Sequence, residues 1–389
     1  MCLGGLEILA RFERAGRQGG KEQRERLTYV EHDPLLGWRK RPGARASYRR
    51  RDFTTDIQIN SHGLRDRERE YEAASPETFR IVTLGDSFLE AYQVPFEDAV
   101  TQRLERSLST GCDVEVINGG TAGYGLAQEY LFYREQGSRY GPKIVVLFFY
   151  YNDILYTVRP QQLGIPKPLI VFDGDAPRVA NYPVPTWEAP EPSPVRPIEF
   201  HGSAAFAWLA DRLEQGRPKL YNRLSELGLW PPIRKHRIAE EFLVFRKKPG
   251  PASRPAFRVS SQEVEAAWER TERILARLAV EVRQDGARLL TVYIPARMEI
   301  RDSDWDYTVL RYGLNEKRWD RDRVRHELNG IGERHNFPVL DLTAALRARQ
   351  GLVEGPYFLN DSHWNSQGHE VAATEIRLKL LEMGWRTGC

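Results

Sequence analysis

The chain is poor in cysteine. Cys2, Cys112 and Cys389 are the only three among 389 residues, and none sits in a CxxC pair. That spacing excludes a disulfide scaffold and a cysteine-based zinc site. No run of about 18 apolar residues occurs, so no helical membrane span is expected. The start, MCLGGLEILARFERAGRQGG, holds too short an apolar run for a signal peptide. It reads as a frayed amphipathic start or as the remainder of a longer segment. An excess of one charge is also missing: 57 basic and 54 acidic residues give a net charge of +3. A dedicated nucleic-acid binder normally shows a strong basic excess, so that class is excluded. His32, His62, His201, His236, His326 and His335 lack metal-ligand spacing, and neither a metal nor a cofactor is implied.

What is present is globular. Hydrophobic residues make up 41%, charged residues 29% and aromatics 11%, which excludes wholesale disorder. The length fits two to three domains, or one large α/β domain, with ample chain for a core. Residues 1–77 form an N-terminal extension, β-rich from residue 28. Phe53, Thr55, Ile57 and Ile59 alternate with polar residues, the period of a half-buried strand, and Asn60-Ser61-His62-Gly63 reads as a turn. Seven basic residues between Arg39 and Arg51 read as a solvated loop in preference to a phosphate or membrane patch.

Residues 78–389 alternate strands with helices. Strands are expected at Arg80–Leu84, Val114–Ile117, Ile144–Tyr150, Leu289–Ile294 and Val339–Leu342. Seven apolar residues in a row at 144–150 suit a central parallel strand buried on both faces. Helices are expected over Val100–Leu108, Leu126–Glu135, Glu263–Arg283, Arg321–His335 and Gly368–Met383. The alternation breaks between about 157 and 258, where sixteen of the 24 prolines fall between Pro160 and Pro255. Proline removes backbone donors and ends helices, so this stretch is an insertion, with a short helical piece near Ala204–Leu213. The expected architecture is a three-layer α/β/α fold with a five-stranded parallel sheet. Ligand sites in such sheets lie at the carboxyl ends of the strands.

Four such ends carry candidate chemistry. Gly85-Asp86-Ser87-Phe88 puts a serine at a strand-to-helix turn, where a nucleophile would be exposed and the helix N-terminus would favour negative charge. The same residues also suit an ordinary helix cap. Asn118-Gly119-Gly120-Thr121-Ala122-Gly123-Tyr124-Gly125 lets backbone approach a ligand, and its glycine spacing is not that of a dinucleotide fingerprint. Tyr151-Asn152-Asp153 offers an amide donor or an Asx turn. Asp361-Ser362-His363-Trp364 offers an acid–base pair at the start of the last helix.

Taken in order, the blocks resemble the SGNH/GDSL hydrolase superfamily, over roughly 78–155 and 285–385. The segments His32–Trp38 and Ile59–Arg65 are more loosely similar to the lead-in of larger bacterial members, and Asp361 stands two residues before His363 as in some branches, including polysaccharide O-acetylesterase and acetyltransferase-like ones. The resemblance implies that Ser87 attacks an acyl carbonyl, His363 moves the proton and Asp361 holds His363. It implies an oxyanion hole from the Ser87 N–H, the Gly123 N–H and the Asn152 side chain, with Gly120 as an alternative donor. Asp86, Tyr151 and Trp364 would face the substrate. Departures are visible. The commonest family position for the acid holds Asn360, which supplies no charge, and Tyr151 stands where glycine is usual.

The implied function is a serine esterase that removes a short acyl group from a carbohydrate or other hydroxyl-bearing substrate. The alternatives are an O-acyltransferase through the same acyl-enzyme and a non-catalytic carbohydrate-binding module. Trp187, Phe200, Phe206, Trp208, Tyr221 and Trp230 in the insertion read as its own core in preference to a sugar-stacking surface. Arg297 is open to an anionic substrate or to solvent, and His369 reads as solvent-facing. The expected partner is a small-molecule or glycan ester, with no nucleic acid. The chain as given is compatible with the cytoplasm; loss of an N-terminal segment would move it to the periplasm or to a membrane anchor.

Overall fold

The computed structural model describes residues 28–50, 52–73, 75–111, 113–162, 164–187, 244–245, 261–312, 319–351, 355–358 and 361–385. Two antiparallel hairpins lead in: β1 (Val30–Asp33) with β2 (Gly37–Lys40), and β3 (Arg45–Arg49) with β4 (Thr54–Gln58). On β4, Thr55 and Ile57 are buried while Thr54, Asp56 and Gln58 are exposed, so the alternation read from the sequence is the pleat itself. The Asn60 side chain accepts the N–H groups of His62 and Leu64 at 3.0 and 2.8 Å and makes the turn that follows.

The central sheet comprises β5 (Phe79–Leu84), β6 (Val114–Asn118), β7 (Ile144–Phe149), β12 (Arg288–Tyr293) and β13 (Val339–Asp341). Between them lie the short hairpins β8 (Gln161–Gln162) with β9 (Ile165–Pro166) and β10 (Ile170–Asp173) with β11 (Ala176–Val179). The sheet order is β13-β12-β7-β5-β6, and every pairing is parallel. All six residues of β7 are buried, because a middle strand of a covered sheet meets side chains on both faces. The strand order reverses direction beside β5, and the crevice of a doubly wound sheet opens at such a point.

Helices fill both faces. In chain order they are α1 (Ser87–Glu90), α2 (Val100–Leu108), α3 (Leu126–Glu135), α4 (Asn152–Tyr156), α5 (Ser261–Gln284), α6 (Arg297–Ile300), α7 (Asp302–Tyr312), α8 (Arg323–His335), α9 (Thr343–Ala348) and α10 (Ser366–Glu382). Helix α2 packs on α10, whereas α3 packs on α5 and α5 on α8. Tyr130 and Tyr133 of α3 donate to Glu281 and Asp285 at 2.9 and 2.6 Å, which ties α3 to the end of α5. No helix among the described residues is long and apolar enough to cross a membrane.

The proline-rich insertion is described to residue 187 and again at 244–245, and its described part pairs only as the two hairpins β8–β9 and β10–β11. The helical piece near Ala204–Leu213 lies outside the described residues, as do Phe200, Phe206, Trp208, Tyr221, Trp230 and the three cysteines. Trp187 is described. It is partly buried and donates its indole N–H to Gly37 O at 2.7 Å, so its polar edge is committed to the lead-in.

The basic stretch 39–51 is not uniformly solvated. Arg39 pairs with Glu31 at 2.9 Å on the surface, as expected of a loop. Lys40 is instead 1% exposed, and its ammonium donates to Gly120 O and to Thr121 Oγ1. Arg65 is equally buried. Its guanidinium donates to the carbonyls of Glu90, Ala91 and Val94 at 3.0, 2.7 and 2.9 Å. The lead-in thus grips the loops at the carboxyl ends of β5 and β6.

Candidate active site

Ser87 is the first residue of α1, immediately after β5. Asp86 caps the helix, its carboxylate accepting the Phe88 N–H at 2.9 Å. Gly85 is glycine for lack of space: a Cβ there would lie 3.0 Å from Leu89 Cβ and 3.1 Å from Phe148 Cβ. These constraints turn the chain sharply and leave Ser87 half-buried at the crevice.

His363 arrives from the loop before α10. Ser87 Oγ lies 2.7 Å from His363 Nε2, and His363 Nδ1 lies 2.5 Å from Asp361 Oδ1. Asp361 Oδ1 also accepts the backbone N–H of His363 at 2.9 Å, so one carboxylate fixes both the ring and its backbone. Burial pushes the Asp361 carboxyl up, but the hydrogen bonds and charge of His363 outweigh it and leave the group below the usual carboxylate range. The rings of Phe88 and Tyr92 flank the imidazole at 4.8 and 5.9 Å. Asn360 lies outside the described residues.

The glycine loop after β6 holds its amides unevenly. Gly119 N donates to Thr83 O, Gly120 N to Asn118 Oδ1, Thr121 N to Gly85 O and Ala122 N to Glu90 Oε2. Tyr124 N donates to Thr121 O and Gly125 N to Gln128 Oε1. From Gly119 to Gly125, the Gly123 N–H is the one amide without a hydrogen bond among the described residues. Gly123 has φ +78, which favours glycine. Gly120 is not the alternative donor, because its N–H is spent on Asn118 at 2.9 Å. Its glycine serves packing, since a Cβ would lie 2.5 Å from Glu90 N.

Asn152 opens α4 after β7 and is half-buried. Its side chain lies close enough to the Asp86 carboxylate to favour the charged form of that group, which places the amide next to the serine turn. Asp153 does the local capping, accepting Tyr150 N at 2.9 Å. Burial pushes the Asp86 carboxyl up and the Asp153 carboxyl well up; Glu129 of α3 is raised likewise by burial and then by Asp153. Tyr151 sits half-buried at the rim, its ring between Tyr150 and Phe245 at centroid distances of 4.4 and 5.3 Å.

Two expected substrate contacts are not at the surface. Trp364 is fully buried, edge-on to Phe88 at 5.1 Å and to His369 at 5.6 Å, so it supports the site from below. Asp86 is 2% exposed, caps α1 and lies beside the Asn152 side chain. His369 is likewise inside, 1% exposed, and burial lowers its pKa to about 3. Arg297 does not project freely: it pairs with Asp304 at 2.7 Å and donates to Phe358 O at 3.2 Å. An aromatic lip that sequence reasoning missed lies beside His363. Phe53 meets Tyr92 at 6.3 Å and Phe358 at 5.3 Å. The period-2 pattern marked Phe53 as a strand position, and nothing in the sequence joined it to residue 358.

Residues 256–384, about a third of the chain, match a family model described as "SGNH hydrolase-like domain, acetyltransferase AlgX". The match includes Asp361 and His363 and stops short of Ser87. It agrees with the SGNH/GDSL resemblance carried by the four motifs. No curated protein matches the chain. Among solved structures, a lipase/acylhydrolase from Enterococcus faecalis is 12% identical, covering 78% of this chain and 96% of that one, with a TM-score of 0.39. An acetylxylan esterase from Geobacillus stearothermophilus is 13% identical, covering 79% and 94%, with a TM-score of 0.39. TesA is 11% identical, covering 78% and 99%, again with a TM-score of 0.39. At such identities and scores, the chemistry has to be argued from this chain's own residues.

Proposed function

We propose that the protein transfers a short acyl group from an ester through an acyl-enzyme on Ser87. The observation that carries this reading is the hydrogen-bonded series Ser87 Oγ, His363 Nε2, His363 Nδ1 and Asp361 Oδ1. In the first half-reaction, Ser87 Oγ bonds to the acyl carbon as its proton passes to His363 Nε2. The tetrahedral intermediate collapses, the ester C–O bond breaks, and His363 returns the proton to the leaving alcohol. In the second half-reaction, water or another hydroxyl attacks the acyl-enzyme and releases Ser87. Asp361 holds the ring tautomer and stabilises the imidazolium.

The oxyanion would be met by the Ser87 and Gly123 N–H groups and the Asn152 amide. Both backbone groups are free of other hydrogen bonds among the described residues. Tyr151, packed against Tyr150 and Phe245, narrows the space beside Asn152 and favours a small acyl group such as acetyl. The aromatic lip of Phe53, Tyr92 and Phe358 offers ring faces to a sugar acceptor or leaving group.

A second reading, O-acyl transfer to a hydroxyl in preference to water, is favoured by the acetyltransferase description of the matched family. One experiment addresses both. The wild type and Ser87→Ala are treated with a fluorophosphonate probe, and the adduct is mapped by mass. The two proteins are then given p-nitrophenyl acetate with and without a glycan acceptor. Labelling at Ser87 and Ser87-dependent turnover are expected. Acceptor-dependent acetylated product marks a transferase, and acceptor-independent release marks an esterase. Full turnover by Ser87→Ala overturns the reading, and glycan binding without labelling would revive a non-catalytic module.

A further inference from the structure

Residues 121–124 form a β-turn closed by Tyr124 N donating to Thr121 O at 3.0 Å. Gly123 occupies the third position with φ +78, the mark of a type II turn. Types I and II share that closing hydrogen bond. They differ by a half-rotation of the central peptide, here the unit holding the Ala122 carbonyl and the Gly123 N–H. The closing bond therefore does not decide which way the Gly123 N–H points, and a glycine at this position can enter either form.

A contact from the lead-in bears on that choice. Trp38 of β2 is 2% exposed, and its indole N–H donates to Ala122 O at 3.3 Å. The backbone of Trp38 is held in turn: Tyr124 OH donates to Trp38 O at 2.8 Å, and the two rings meet edge-on at 5.8 Å. Because a trans peptide is planar, its C=O and N–H point in opposite directions. Holding the carbonyl against the indole thus aims the Gly123 N–H away from it. The residues just before are pinned as well, by Lys40 on Gly120 and Thr121 and by Glu90 on the Ala122 N–H. Those bonds fix where the turn begins; the indole acts on the peptide that carries the free donor.

We propose that Trp38 is a positioning residue for the oxyanion hole: its indole N–H holds the Ala122–Gly123 peptide in the orientation that presents the Gly123 N–H to the acyl oxyanion. This rests on the acyl-transfer reading above. It gives the lead-in a part in the chemistry although it contributes no group to the reacting atoms.

The test compares Trp38→Phe, Gly123→Ala and the double variant with wild type on p-nitrophenyl acetate, with thermal midpoints recorded alongside. Phenylalanine keeps an aromatic ring and removes the donor. Alanine at φ +78 is strained and drives the same peptide toward the other turn form. Each single variant is expected to lose roughly 10- to 100-fold in kcat, with KM changed less than about twofold, since the contact acts on the transition state. The double variant should lose little more than either single, because both act on one peptide. A Trp38→Phe crystal structure should show the Ala122 carbonyl rotated or in two orientations. A kcat within twofold of wild type in either single variant overturns the proposal, as does a Trp38→Phe structure with the carbonyl unmoved. If the wild type itself shows no Ser87-dependent turnover, the functional reading fails, and the crystal structure still decides the orientation claim.

Discussion

Glu90, the last residue of the helix that begins with Ser87, accepts the backbone N–H of Ala122 at 2.5 Å. One carboxylate therefore joins the serine's helix to the turn that carries the Gly123 amide. Its second oxygen accepts Tyr29 OH from the lead-in at 2.8 Å. The proposed nucleophile and the proposed oxyanion donor are registered to each other by a side chain whose hydrogen bonds go to Tyr29 and Ala122.

Replacing Glu90 tests that coupling. Glu90→Leu removes the carboxylate that the Ala122 N–H and the Tyr29 hydroxyl both bond, a loss of about 1–3 kcal/mol for the buried amide and less for Tyr29, which keeps its 3.2 Å contact with Tyr48 OH. Urea denaturation should show a destabilisation in that range or above, together with a fall in kcat. Glu90→Gln keeps one acceptor oxygen and should lose less of both.

Asp361 should matter to rate far more than to folding. It is partly exposed, and its bonds go only to the ring and backbone of His363 among the interactions described. Asp361→Asn is expected to lower kcat by roughly 10³- to 10⁴-fold, because the wrong tautomer of His363 is then favoured. The thermal midpoint should move little. A variant with wild-type turnover would remove Asp361 from the proposed mechanism.

Asn152→Ala removes one proposed donor and should cost about 10²- to 10³-fold in kcat, with a smaller change in KM. Steady-state kinetics on a small acetyl ester separates the two parameters. A raised KM with kcat unchanged would mark Asn152 as a binding residue instead.

His369 makes a pH prediction. Buried against Trp364, it stays neutral in the folded protein down to about pH 3, whereas an unfolded histidine takes a proton near pH 6.5. Between those values the unfolded chain binds more protons, so stability falls as pH drops through the window, by up to about 1.4 kcal/mol per pH unit. His369→Gln should reduce the slope of folding free energy between pH 6.5 and pH 3 relative to wild type. Denaturant midpoints across that range provide the measurement, and parallel curves would contradict it.

Gly120→Ala should be harmful although Gly120 is not a donor. Its Cβ would stand 2.5 Å from Glu90 N and 2.6 Å from Leu89 C, both backbone atoms of the serine's helix. Relief requires moving α1, at a cost of about 1–3 kcal/mol. Both the melting temperature and kcat should fall.

The central sheet was legible because each strand is a compact apolar run between turn signals. Expected and observed strand bounds differ by one residue at most, as at β7, read as 144–150 and found as Ile144–Phe149. The serine, histidine and aspartate were legible as motifs at strand ends. What surrounds them was not. Lys40, Arg65 and Trp38 look like surface or generic residues, since their partners lie 25 to 86 positions away in the chain. A buried cation that grips backbone carbonyls leaves no periodic trace. Trp364 was misread because adjacency to His363 in sequence says nothing of which way a side chain points from an irregular loop. His369 did leave a signal: with Ala373, Ile376 and Leu380 it repeats at helical spacing, and all four are buried on α10.

Ser87 and His363 stand 276 positions apart in the chain. At common synthesis rates of about 5–20 residues per second, roughly 14 to 55 s pass between the two leaving the ribosome's catalytic centre. In the proposed mechanism the serine would have no base throughout that interval, and a nascent or prematurely ended chain would be chemically silent. Turnover would then report that translation has passed residue 363 and that its loop has docked.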